Sequence, residues 1–254
     1  MQKFFTSFII GIVTIILLNN IQSIFIGLGL GIPLVTLITW ILFIEVVVKI
    51  LLFKAVPSLI INKTNLEEHT HLNIDIYLFN CYCRELNRIG FKKLVDYTSP
   101  SIKGMARLFY YPEYNCYAEV GMLAGTSSFC SIVSGFEQDW FFAATNNNSS
   151  TSNKAIAYAF LCLPRIMCKI FNEEPKLLFD SFLDWRSEVK NKLAVEIIAI
   201  ADEEMYFTWE SKKRKMQRQQ LMHKSIVISL IKILLFSLNP KSEWMGDYSR
   251  TKLY

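Results

Sequence analysis

The chain has 254 residues, room for one ordinary domain and something more, and 52% of them are hydrophobic, a high share for a soluble protein. Its formal charge of +5 would point to nucleic acid if it were spread along the chain. Instead six cations (Lys212, Lys213, Arg214, Lys215, Arg218 and Lys224) fall within 211–224, a stretch without an acid, and the rest is close to neutral.

From Phe4 to Phe53 the only ionisable residues are Glu45 and Lys49. A bilayer core about 30 Å thick takes roughly 20 apolar residues per helix, so this stretch accommodates two spans. The run Gly27-Leu28-Gly29-Leu30-Gly31-Ile32-Pro33 divides it, because glycines weaken a helix and proline suits the first turn of a new one. We expect a transmembrane hairpin over 1–56, with spans at about 4–26 and 34–54. The competing reading is a signal peptide, since Lys3 precedes an apolar run. No small-residue cleavage site follows, however, and a second apolar run begins at once. Lys3, Lys49, Lys54 and Lys63 flank the hairpin and its loop carries no charge, which places both termini on the cytoplasmic side. Glu45 and Lys49, four residues apart near that side, are spaced to pair.

Residues 57–73 read as a polar linker, followed by a cytoplasmic domain over 74–195. Ile74, Leu78, Cys81/Tyr82, Leu86 and Ile89 recur at helical spacing, and Gly90 stops that helix. The period then changes to two. Phe91–Tyr97, Met105–Tyr111, Cys116–Leu123, Phe129–Phe136 and Trp140–Thr145 are aromatic and β-branched runs separated by turn residues, which predicts an antiparallel meander. TNNNSSTSN at 145–153 is a polar loop. Ala155–Phe171 contains Pro164 and is read as extended. Glu174-Pro175 opens a helix to about Lys192 with Leu178, Phe182, Trp185 and Val189 on one face. A long C-terminal helix is expected over 196–238, followed by a tail over 239–254. The expected fold is therefore α+β: a two-helix hairpin, then an antiparallel sheet flanked by helices.

Leu86-Asn87-Arg88-Ile89-Gly90-Phe91, then Asp96-Tyr97, Arg107-Leu108-Phe109 with Pro112-Glu113, and Ser134-Gly135-Phe136 ahead of Thr145-Asn146 resemble an uncharacterised family of bacterial membrane-anchored proteins. In that family a helix ending in a Leu-Gly-Phe-like turn precedes a β-rich core. The resemblance covers about residues 84–190 and rests on short motifs. It supports the domain boundaries and implies no activity; the location expected for the chain is a bacterial plasma or internal membrane.

Residues with catalytic or metal-binding chemistry are sparse. Cys81 and Cys83 stand two apart on a helix and point away from each other, Cys162 and Cys168 lack zinc spacing, and no CxxC occurs. His69 and His71 lie beside Glu67 and Glu68 in the linker, where a His-x-His could hold a metal only weakly, and no site is assigned to them. No hydrolase elbow, phosphate loop, dinucleotide fingerprint or HExxH is present. No cofactor, metal or catalytic residue is therefore assigned. Asp180, Asp184 and Glu188 form an acidic row bracketed by Lys176 and Lys192, either a solvated face or a dock for the 212–218 cations.

The cationic block runs into the apolar stretch Ile226–Leu238, which carries Lys232 in its middle. That stretch is too short and too charged to span, and a nucleic-acid arm has no use for it. A helix on an anionic membrane surface fits, with Lys212, Lys213, Arg214, Lys215, Arg218 and Lys224 as the surface-binding residues; docking on the protein is the competitor. The expected function is a membrane-anchored interaction or assembly protein, bound to the anionic bilayer and to a protein partner. The alternative is an enzyme acting on a lipid or membrane-proximal substrate.

Overall fold

The structure is a computed structural model describing residues 32–56, 61–64, 76–99, 104–123, 128–147, 151–163, 165–200, 202–239 and 243–245. It divides into two units, Met1–Ala55 and Val56–Tyr254.

In the first unit, helix α1 (Ile32–Ala55) has Pro33 in its opening turn. Its 24 residues reach about 36 Å at 1.5 Å each, enough to cross a bilayer. Its surface is largely apolar all round: Leu37, Trp40, Val46 and Leu51 are all more than half exposed, as expected of a helix without a broad polar face. Glu45 and Lys49 pair at 2.9 Å. It is the one helix among the described residues that is by itself long and apolar enough to span. The expected first span at 4–26, like His69 and His71, lies outside the described residues.

The second unit is mixed α+β. Among the described residues eight strands lie in sequence order in one sheet: β1 (Asn62–Lys63), β2 (Lys92–Ser99), β3 (Gly104–Tyr111), β4 (Cys116–Leu123), β5 (Phe129–Phe136), β6 (Trp140–Thr145), β7 (Ile166–Ile170) and β8 (Glu243–Met245). The five predicted strands are β2 to β6 and pair antiparallel. The sheet is not wholly antiparallel, because β6 and β7 pair in parallel. Parallel neighbours need a crossover, and helix α3 (Thr151–Ile156) with its π-helical extension Ala157–Leu161 supplies it. The extended reading of 155–171 is thus corrected: the segment is helical to Leu161 and a strand from Ile166 to Ile170. Two supposedly irregular segments also join the sheet, Asn62–Lys63 of the linker on β2 and Glu243–Met245 of the tail on β7.

Both faces of the sheet are covered, so successive residues of one strand enter different cores. On β4, Cys116, Ala118, Val120 and Met122 face the core shared with helices α2 (Ile76–Ile89) and α4 (Pro175–Leu193), and Tyr117 belongs to the other. Phe142 and Trp140 on β6 meet Trp185 and Phe182 on the first side, while Phe141 packs with Trp209 on the second. Full burial of one such ring is worth about 1.5–3 kcal/mol. Gly90 ends α2 at φ 119, its N–H donating to Leu86 O at 3.2 Å, a backbone shape that a side chain would strain.

The expected continuous C-terminal helix is broken twice. Ala194 closes α4 in the left-handed conformation. The chain then runs beside the end of β5, where Ile197 bridges Phe136 and Ile198 N donates to Gly135 O at 3.0 Å. Helix α5 starts only at Glu203 and ends at His223; its cap is the Asp202 side chain, which accepts from Met205 N at 3.0 Å. It is bent by 111° from helix α6 (Ile226–Leu238) across Lys224 and Ser225.

Candidate functional site

Helix α5 carries the cationic block across the sheet face opposite α2 and α4. Tyr206 near its start is buried with Tyr97, Leu108 and Tyr117, and Trp209 packs against Gly135 so closely that a Cβ there would meet the indole at 2.5 Å. Further along, Gln217 and Leu221 are buried and the Gln217 amide donates to Leu161 O at 3.4 Å. The block is therefore a packed helix, not an arm, and its six cations are sorted by helical phase.

Lys212 points outward and pairs with Asp139 at 2.6 Å. Lys213 is turned inward, paired with Glu210 and placed over the Phe141 ring at 5.0 Å. Arg214 is half-buried, and its Nε is buried without a hydrogen-bond partner. Lys215 is exposed and Arg218 half-buried. Lys224, at the corner with α6, donates to the carbonyls of Ala159 and Phe160 at 3.1 Å and of Cys162 at 3.4 Å. Those carbonyls close the π-helical turn, so its end is satisfied by an ammonium group. Burial holds the Lys224 pKa down at about 8. The stretch 211–224 contains no acid in sequence, but the fold brings Asp139 and Glu210 to it. The acidic row of α4 does not meet it: the sheet lies between, and Glu188 pairs with Lys192.

Beyond the bend, α6 packs on α3 through Ile226, Ser229 and Phe236, whose ring lies 5.2 Å from that of Tyr158. The opposite face is bare: Ile228, Leu234, Leu235 and Leu238 are each more than half exposed. Contiguous aliphatic exposure of this kind marks a contact surface.

Three polar clusters in the interior were not legible as such. Under α5, Glu119 of β4 accepts hydrogen bonds at Oε2 from the Tyr97 hydroxyl at 2.6 Å and from the Tyr206 hydroxyl. Desolvation pushes the Glu119 carboxyl up, against the two hydrogen bonds that favour its ionised form. A lone acid within the apolar run CYAEVGML is the signal that marks it. On the other face, burial of Asp96 would raise its pKa, but the hydrogen bonds and charges of Arg107 and Lys93 outweigh it and hold the carboxyl below its ordinary value. Arg107 grips Asp96 in a fork at 2.6 and 3.0 Å and lies over the Phe79 ring. Arg186 of α4 is buried and donates to Tyr114 O at 2.6 Å and Ser134 Oγ at 3.0 Å, tying the β3–β4 turn to the helix. Burial holds its pKa down.

None of the six cysteines forms a disulfide. Burial pushes the thiols of Cys83 up to about 11 and of Cys116 and Cys168 to about 12, which makes them poor nucleophiles. Among the described residues no three His, Cys, Asp or Glu side chains are grouped to hold a metal. A small pocket of about 50 Å³ lies beside Trp209, Lys212 and Lys213, and a wider, open hollow of about 780 Å³ lies between α2 and α4, lined by Arg84, Arg88, Tyr114 and Lys176.

Comparison with known proteins returns no matching family model, no similar curated protein and no similar solved structure.

Proposed function

We propose that this chain is a membrane-anchored interaction protein that holds an α+β domain at an anionic bilayer surface. The observation that carries this reading is α1, 24 residues long and largely apolar all round. With the apolar run at 4–26 it makes a hairpin, and the flanking lysines put both termini in the cytoplasm of a bacterial cell. Lys212, Lys215 and Arg218, on the outer side of α5, are the block's contribution to headgroup binding, each worth up to about 1 kcal/mol near an anionic surface. Lys213 and Lys224 support them from inside by fixing the helix.

Labelling with an impermeant maleimide tests the anchor and its direction. A cysteine at Leu30 reacts from outside intact cells, and one at Ser149 does not. The reverse pattern, or release of the chain from membranes at alkaline carbonate, refutes the reading.

A further inference from the structure

Helix α6 has two faces of different kinds. One is packed on α3. The other presents Val227, Ile228, Ile231, Leu234, Leu235 and Leu238, between 48% and 83% exposed. Ile156 of α3 is exposed as well, so the bare surface does not belong to α6 alone. From Ser211 to Leu238 the chain has no acid.

We propose that α6, backed by α3, is an in-plane foot whose outer face lies among the acyl chains of one leaflet of an anionic bilayer. The inference rests on the membrane-anchored reading and names what this second contact touches. Thirteen residues give about 20 Å at 1.5 Å each, short of the roughly 30 Å apolar core, so α6 does not span. At about 100° per residue, Lys232 stands to one side of the Ile231–Leu235 face. There its stem covers apolar surface while its ammonium reaches the headgroups. A second copy of the chain is a poorer occupant: it would bring Lys232 and Lys215 against their own kind with no acid from either α6 to meet them. Nor does α6 swing out to prolong α5 into a span. Lys224 pins the 111° corner to three carbonyls and Ile226 is buried beside it.

The test places the photo-crosslinker p-benzoylphenylalanine at Leu234, at Ile231 in a second variant, and at the exposed Tyr77 of α2 as a control. The full chain is reconstituted in vesicles containing phosphatidylglycerol, and unchanged tryptophan fluorescence confirms folding. Irradiation should add the mass of one phospholipid at 234 and at 231, at least fivefold more than at 77. A crosslinked dimer, equal adducts at 77, or no adduct at either α6 position overturns the proposal. Carbonate extraction separates the two readings. A chain that is released although it had formed the adduct keeps the foot and loses the anchor; a chain retained without an adduct does the opposite.

Discussion

Glu119 is the interior group whose removal is most informative. Its Oε2 is the shared acceptor for Tyr97 on β2 and Tyr206 on α5, so it ties the cationic helix to the sheet. Glu119→Leu leaves both hydroxyls without that acceptor, and a buried donor left unsatisfied costs about 1–3 kcal/mol, or about 2–6 kcal/mol for the two. Glu119→Gln keeps one acceptor oxygen and should cost less than Glu119→Leu. The pH dependence has a defined sign. The folded pKa lies above the ordinary value of 4.5 because burial disfavours the charge. The native state therefore holds its proton more tightly than the unfolded chain. That contribution is present in full below the unfolded pKa and is lost as pH rises through the folded one. Glu119→Gln cannot lose a proton, so its stability relative to wild type should improve as pH rises across this window. Urea unfolding of the full chain in mild detergent, followed by tryptophan fluorescence with Trp209 close by on α5, measures both effects. Equal pH slopes for wild type and Glu119→Gln, or Glu119→Leu as stable as wild type, would refute the reasoning.

Asp96 carries the opposite sign: its stabilisation is present above the unfolded pKa, near the ordinary 3.8, and is lost as pH falls through the lowered folded value. Asp96→Asn should cost about 3–5 kcal/mol at neutral pH by leaving Arg107 unpaired, nearer the lower figure because Lys93 is half exposed, and acid titration of unfolding would reveal it. Gly135→Ala should destabilise by about 1–3 kcal/mol, since its Cβ would enter the Trp209 ring; a shifted tryptophan emission with a lowered Tm is the expected readout. Replacing Lys212 and Lys215 with Gln should weaken retention on anionic vesicles of a chain fragment spanning 57–254, more at low salt than at high, because exposed charges are screened within about 8–10 Å. Unchanged binding at low salt would remove the headgroup role.

The elements that could be read from sequence are those whose signal is local. Strands β2 to β6 combine period-two patterning with aromatic and β-branched residues between turn formers, and their bounds fall within two residues of expectation. The buried face of α4 follows from Leu178, Phe182, Trp185 and Val189 in the same way. Failures came where a distant partner decides the local shape. Val195 to Ile200 lacks helix breakers, yet it leaves the helical path because β5 offers Gly135 O and Phe136 as partners some 60 residues away in sequence. Tail residues Glu243–Met245 become a strand because β7 has a free edge. Composition located the cations, but not their division into outer and inner sets, because Asp139 comes from a turn 73 positions earlier.

That division changes how a basic segment should be understood here. As a flexible arm, its six cations would each pay conformational entropy to reach a phosphate. On α5 the helix is already fixed at three places: by the Tyr117 hydroxyl donating to Asp202 O at 2.6 Å just before its start, by the Glu119 cluster near it, and by Lys224 at the far corner. Fewer charges face outward, but those that do are held on a fixed helix. On the proposed bilayer contact, domain stability and membrane binding would be coupled through one helix. Loosening α5 at Glu119, inside the domain, should weaken vesicle binding without touching a single surface charge, whereas a tethered basic arm would be indifferent to it.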